Sequence, residues 1–280
     1  MELNAINYTD ADAAERFVQS LHETGFGVLK KHPLLQEQVD SIYRNWKAFF
    51  DREEKRDFVH GHTHDGFFPI EMAEAAKDCD IRDIKEYFQF YLWGQCPDDL
   101  RQELQDYYDD TCRFASELLG WIEQYSPGAV RALYDEPLSS MLEDSEQSML
   151  RILHYPPLKG DELPNAIRAA AHEDINLITI LPAAHEPGLQ VQRRDGSWMD
   201  VPCDFGNLII NIGDMLQEAS GGYFPSTTHR VINPPDADHN RSRISLPLFL
   251  HPRPNVVLSS RYTADSYLKQ RLAELREASN

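Results

Sequence analysis

The sequence predicts an α+β protein, mainly β, whose body is a jelly roll with packed N-terminal helices and a C-terminal helix. Three observations predict it. Apolar residues recur every three or four positions through much of residues 1–145. From about Met149 the period falls to two, in short segments separated by Gly, Pro, Asp and Asn. The last stretch returns to helical spacing.

A short strand is expected around Ala5–Asn7, then a helix over Asp12–Leu21. Asp12 is its cap, and Glu15 suits the reciprocal capping bond. Gly25-Phe26-Gly27-Val28-Leu29 reads as a strand. Over Leu34–Phe50, the residues Val39, Ile42, Tyr43, Trp46, Phe49 and Phe50 form one apolar stripe. Pro33 stands just ahead of it, where its missing N–H costs little. Leu104, Tyr107, Tyr108, Phe114, Leu118 and Ile122 mark a second long helix, ended by Pro127-Gly128. Ser148–Tyr155 is a strand stopped by Pro156-Pro157. Further strands are expected at Ile178–Leu181, Leu189–Gln192, Trp198–Val201, Leu208–Ile212, His229–Val231 and Ile244–Leu250. Arg193-Arg194-Asp195-Gly196-Ser197 is a hairpin connection. Thr263–Glu277 is a closing helix, with Thr263 as cap and Leu268, Leu272 and Leu275 as its stripe. No internal repeat or low-complexity linker divides the chain, so the helices are expected to pack on the outside of the roll.

An apolar content of 41% is enough for a substantial core. Forty-six acidic residues against 27 basic ones give a formal charge of −19. That field repels phosphate backbones and anionic lipid, which disfavours nucleic acid and membranes as partners. The start, MELNAINYTDADAAERF, lacks the pattern of a signal peptide, and no apolar run approaches membrane-spanning length. Cys79, Cys96, Cys112 and Cys203 have no CxxC spacing and read as free thiols of a reducing compartment. A cytoplasmic protein is the expectation.

The chemistry is concentrated in five positions: His172-x-Asp174, His229, and Arg243-x-Ser245. Residues i and i+2 of an extended segment share a face. His172 and Asp174 therefore project to one side if extended, and one further strand brings His229 beside them. Two imidazoles and a carboxylate can hold one face of a ferrous ion and leave the other open. Those residue types alone also allow zinc. Arg243 and Ser245 again share a face. An arginine inside a roll is costly unless a carboxylate meets its planar fork, either that of a small dicarboxylate or that of a protein Asp or Glu. Tyr155, ahead of Pro156, can add a third donor. His60-x-His62-x-His64 with Asp65-Gly66 reads as a polar loop at the mouth of a site rather than as a second metal centre. Phe67 and Phe68 beside it, and Tyr262 in the C-terminal segment, are the candidate substrate contacts. His154 alternates away from Tyr155 and is placed outside the metal's reach, and Asp214 is expected to stabilise a turn.

These motifs resemble the isopenicillin N synthase-like branch of the iron(II)/2-oxoglutarate-dependent oxygenases. The matching segments are His172-Glu173-Asp174 with Leu177 and Thr179, Gly188–Trp198 with Val201, and Asn207–Asp214. Ser226–Val231 and Arg243-Ile-Ser245 with Pro247 and Phe249 continue the match, while Gly25-Phe26 and Asp83–Glu86 are weaker ones to that family's helical portion. The resemblance implies a double-stranded β-helix core. It implies Fe(II) on His172, Asp174 and His229, and 2-oxoglutarate held through its distal carboxylate by Tyr155, Arg243 and Ser245. It implies one oxygenase domain over 1–280: a mainly helical portion at 1–145, a core carrying both sites at 146–258, and a helix at 259–280. The reaction implied is oxidation of a small molecule by dioxygen (hydroxylation, desaturation or ring closure) with formation of succinate and CO2. Leu153 stands where the family often has Asn, and Ser220-Gly221-Gly222 and Pro225 replace a usual turn pattern. An iron oxidase of the same family working without 2-oxoglutarate, and a non-catalytic or zinc-holding jelly-roll binding module, are the rival readings.

Overall fold

The computed structural model describes residues 3–73, 81–202 and 204–278. Strand β1 (Ala5–Asn7) leads into helix α1 (Ala13–Thr24) and strand β2 (Phe26–Lys30). Asp12 makes no side-chain cap on α1; its carboxylate pairs with Arg16 at 3.3 Å instead, which overturns the expected capping box. Helix α2 spans Gln36–Phe50 and buries the predicted stripe, with Trp46, Phe49 and Phe50 at most 2% exposed. Each such side chain contributes about 1.5–3 kcal/mol relative to exposure.

Two strands in the first half were not anticipated, β3 (Gly66–Phe68) and β4 (Glu86–Phe90), so the Asp83–Glu86 segment leads into a strand rather than a helix. Helix α3 (Asp98–Tyr125) and the single turn α4 (Gly128–Arg131) complete this half. The second half supplies β5 (Met149–Tyr155), β6 (Ala169–His172), β7 (Ile178–Pro182), β8 (Leu189–Gln192), β9 (Trp198–Asp200) and β10 (Asn207–Ile212). Helix α5 (Asp214–Ala219) follows, and Asp214 opens it rather than a bare turn. Then come β11 (His229–Val231), β12 (Arg243–Ser245), β13 (Leu248–Leu250) and α6 (Ala264–Ala278). Thr263 does cap α6: its Oγ1 accepts from the Ser266 amide at 3.3 Å. The expected strand at Ile244–Leu250 is split, because Pro247 has no N–H for a continuous ladder.

The strands form two sheets, one ordered β1-β2-β10-β7-β13-β5-β4-β3 with β12 beside β5, the other β6-β11-β8-β9. Pairing is antiparallel except between β1 and β2. One face of the large sheet packs Leu208, Ile210, Ile180, Ile152 and Phe88 against α1, α2 and α3. Its other face turns Phe26, Val28, Tyr87, Leu153, Tyr155 and Ile209 toward Leu189, Val191, Met199 and Val231 of the small sheet. The space between the two sheets is the interior of a jelly roll. Among the described residues no helix is long and apolar enough to cross a membrane. Cys96 and Cys112 are free thiols; Cys79 and Cys203 lie outside the described residues, as does the side chain of Leu275.

Candidate iron and cosubstrate site

Strand β11 pairs with β6 so that His229 lies opposite His172. Asp174 follows β6 directly. The segment after it is seated by a close backbone approach: a Cβ on Gly213 would sit 2.1 Å from the Asn176 carbonyl oxygen. On the other side, Gly25 ends α1 at φ +74, and a Cβ there would meet Thr227 Oγ1 at 2.3 Å. That glycine lets the strand bearing His229 close onto β2, where Phe26 meets the His229 ring edge-on at 5.6 Å.

His172, Asp174 and His229 bring one ligand atom each to within 4.8 Å of one another. Asp174 Oδ1 lies 3.9 Å from His172 Nε2 and 3.8 Å from His229 Nε2. Ligands of a compact octahedral ion with 2.1 Å bonds stand about 3 Å apart. The triad therefore closes on a metal with shifts of roughly half an ångström per ligand.

The surrounding hydrogen bonds prepare each ligand atom. His172 Nδ1 donates to the Ala170 carbonyl at 2.7 Å, and His229 Nδ1 donates to the Thr227 carbonyl at 3.1 Å. Both rings thus present the Nε2 lone pair inward. Asp174 Oδ2 accepts from Thr179 Oγ1 at 2.6 Å and from Asn211 Nδ2 at 2.8 Å, which leaves Oδ1 facing the imidazoles. Burial raises the Asp174 carboxyl, but the imidazoles and these two bonds outweigh it and hold the group below its ordinary value. Burial, then the neighbouring His172, push the His229 imidazole down to about 4. At neutral pH it is an uncharged ligand, as a metal requires. The His172 side chain is 46% exposed against 10% for His229, so the triad is open to solvent on the His172 side. Thr179 and Asn211 carried no assigned role in the sequence. Their signal was a polar side chain inside an otherwise apolar strand.

Arg243 is 4% exposed and stands opposite Tyr155 across the β12–β5 pair, with Ser245 opposite Leu153. Its Nε donates to the Glu186 carbonyl at 3.2 Å, while Nη1 is buried with no partner. Among the described residues no carboxylate lies within ion-pair distance of it, so the closed internal salt bridge considered above is absent. The guanidinium lies 5.2 Å from the centre of the Tyr155 ring. A cavity of about 180 Å3 reaches Arg243 from the α2 side, between Tyr43, Lys47, His185 and Glu186. A buried cation with an unmet donor, a hydroxyl two residues on and a phenol opposite are donors suited to one carboxylate of a bound ligand.

The candidate substrate contacts divide. Phe68 faces the roll interior, stacked between His60 at 3.9 Å and Tyr87 at 4.7 Å. Phe67 points to the opposite face of β3, packs with Phe50 and Lys55 in the helical core, and is corrected to a core residue. Successive strand residues alternate in direction, so both could not line one cavity. Tyr262 makes its ring contacts with Tyr267 and Arg261 of the C-terminal segment. His60 stacks on His64 as well as on Phe68, and no metal cluster forms in that loop among the described residues. His154 lies outside the site as expected, bonded to Glu86 and Ser242 and stacked on Phe50.

Comparison with known proteins agrees with this geometry. Residues 146–252 match the profile of the 2OG-Fe(II) oxygenase superfamily. Residues 2–109 match that of the N-terminal region of non-haem dioxygenases in morphine synthesis. Gibberellin 2-beta-dioxygenase 3 of Arabidopsis thaliana is 31% identical over 264 residues, 88% of this chain and 74% of that protein. The crystal structure of a candidate oxygenase from Shewanella oneidensis superposes with a TM-score of 0.90 at 60% identity, covering 99% of both chains. A candidate 2OG-Fe(II) oxygenase family protein from Caulobacter crescentus superposes at 0.81 with 30% identity, covering 98% of this chain and 99% of its own. With both family regions matched and a triad of the right donors in place, the chain belongs to the 2OG-Fe(II) oxygenase superfamily and is a non-haem iron, 2-oxoglutarate-dependent dioxygenase.

Proposed function

We propose that His172, Asp174 and His229 hold the ferrous ion, and that Arg243, Ser245 and Tyr155 hold the distal carboxylate of 2-oxoglutarate. The observation that carries this is the inward set of ligand atoms, each with its other polar atom already engaged by Ala170, Thr227, Thr179 or Asn211. Such outer bonds fix tautomer and orientation before the ion arrives. Bound iron with 2-oxoglutarate supplies the oxidising power of dioxygen, with succinate and CO2 as coproducts. The protein supplies placement. Asp174 offers one oxygen and keeps the other in hydrogen bonds. Arg243 offers an unmet donor beside Tyr155. The apolar walls, Phe26, Leu153 and Val191 among them, exclude water from between these ends.

The substrate is a small molecule, hydroxylated, desaturated or cyclised over the open face of the metal. Phe68, with Tyr87 and His60, is the flat wall that would meet it. Residues 1–280 act as one oxygenase domain: β1 to β4 from the helical portion (1–145) are hydrogen-bonded into the same sheet as the site-bearing portion (146–258). Residues 259–280 contribute α6. The test is succinate release under air with Fe(II) and 2-oxoglutarate, screened across small molecules. Substrate-stimulated succinate that disappears in Asp174→Ala supports the reading. Iron-dependent turnover without 2-oxoglutarate would point instead to the oxidase alternative.

A further inference from the structure

Arg168 stands four residues before His172, just ahead of β6, and is 1% exposed. It was singled out by no motif. Its Nη2 donates to the Arg241 carbonyl at 2.6 Å, and its Nε is buried without a partner. Its guanidinium lies 6.0 Å from the centre of the Tyr155 ring, the same ring that Arg243 meets at 5.2 Å. Two buried guanidinium groups therefore share one phenol. Each is tethered to a backbone carbonyl, and each keeps a buried N–H unmet. Among the described residues neither has a carboxylate within ion-pair distance. Glu186, half-buried, lines the same cavity as Arg243.

A buried charge without a counter-ion is costly, and two of the same sign around one ring cost more. Burial and the adjacent Arg243 charge push the Arg168 guanidinium below its ordinary value. An anion within reach of both unmet N–H groups would relieve both. A carboxylate has two oxygens with about four acceptor positions. Arg243, Ser245 and Tyr155 account for three donors at this end of the roll, and Arg168 is the fourth. We propose that Arg168 is a second cationic binding residue for the distal carboxylate of 2-oxoglutarate, acting with Arg243 around the Tyr155 ring. This rests on the cosubstrate site proposed above.

The test compares two 2-oxo acids in anaerobic titrations of the Fe(II)-loaded protein, read by the visible band of the chelate. One is 2-oxoglutarate. The other is 2-oxopentanoate, which chelates in the same way and carries a methyl group in place of the distal carboxylate. Arg168→Met is expected to weaken 2-oxoglutarate by about 10- to 100-fold, the effect of removing a hydrogen bond to a charged group. It should leave 2-oxopentanoate affinity unchanged. Arg168→Lys keeps the charge without the fork and should recover part of the loss, so the comparison survives if the methionine variant folds poorly. An equal loss for both acids would mean that Arg168 merely shapes the wall, and the assignment falls. Unchanged 2-oxoglutarate affinity would overturn it too, and would turn attention to an anionic group on the substrate. Arg243→Met separates the two levels of inference. If it abolishes 2-oxoglutarate selectivity while Arg168→Met does not, only the Arg168 assignment fails. If neither variant discriminates between the acids, the cosubstrate site itself is misplaced.

Discussion

Asn211→Leu isolates what the surroundings of Asp174 do for the metal. Asn211 sits in β10 among Leu208, Ile209, Ile210 and Ile212, 4% exposed. Leucine nearly conserves its volume, so the packing penalty is small. What is lost is the 2.8 Å bond from Nδ2 to Asp174 Oδ2, leaving Thr179 as the other donor to that oxygen. A hydrogen bond to a buried charge is worth about 1.5–3 kcal/mol. Part of that loss falls on the metal-free protein as well, because the bond exists there. The remainder, the orientation of Oδ1, corresponds to the about 10- to 100-fold that outer-shell bonds contribute to metal affinity. The pH dependence follows with a definite sign. Asp174 is held below its ordinary value, so its contribution to stability is present above that value and is lost as pH falls through the folded-state one. Removing a bond that lowers the group raises its folded-state pKa. The variant should therefore be less stable than wild type near neutrality, and the difference should shrink in acid. Anaerobic Fe(II) or Co(II) titrations at several pH values, with thermal unfolding of the metal-free protein, measure both effects. Equal metal affinity in variant and wild type across that range would refute the argument that Oδ2 contacts orient the ligand.

Three further outcomes are expected. Arg243→Met should weaken 2-oxoglutarate binding by about 2–5 kcal/mol, and Ser245→Ala by roughly 1–2 kcal/mol, in anaerobic titrations; the reverse order would contradict the anchor geometry. His251 is half-buried, and desolvation pushes its imidazole down to about 4; the unfolded chain takes up a proton between about pH 6.5 and 4 that the folded one does not, so stability should fall as pH drops through that window, by at most about 3 kcal/mol. Denaturant unfolding of wild type and His251→Gln should diverge there, and parallel curves would remove His251 as the cause. Gly25→Ala forces a side chain onto a φ of +74 and into Thr227 and Pro225; the left-handed strain alone is about 1–2 kcal/mol, and a lowered Tm with weakened metal binding is expected because Thr227 also holds His229.

The roll was legible because short apolar runs separated by Gly, Pro, Asp and Asn mark its strands, even though β5, β7 and β10 are buried on both faces and only strands such as β8 alternate. The metal ligands were legible because His172 and Asp174, two apart, can share one side of an extended segment, and the family resemblance joined His229 to them. Strands β3 and β4 were not. Glu86 and Gln89 look wrong for a buried strand until their partners are known: Lys55 and His154 for Glu86, Arg151 for Gln89. Those partners lie 31, 68 and 62 residues away in sequence, beyond the reach of any local pattern. Asp12 is a different case: two local partners competed for its carboxylate, and Arg16 four residues on took it in place of the helix amides.

Phe67 and Phe68 carry a different lesson. Read as a pair of aromatics beside a polar loop, they suggest one apolar lid. Read as adjacent residues of a strand, they must part, one to each face of the sheet, and that second reading was open once Gly66–Phe68 was allowed to be extended. Arg168 is the converse case. A lone arginine ahead of Ala169, Ala170 and Ala171 has no small-scale reason to be there. A residue whose charge contradicts its burial needs a partner that the local sequence does not supply, and inside an enzyme that partner is often the ligand. By that logic Thr179, Asn211 and Arg243 on buried strands, and Arg168 just ahead of β6, are the buried polar residues through which this roll differs from a merely well-packed one. None of the four is a metal ligand. Thr179 and Asn211 hold Asp174 Oδ2, and Arg168 and Arg243 place charge around Tyr155; on the proposed reading, changes at these positions alter metal and cosubstrate affinity while the fold itself persists.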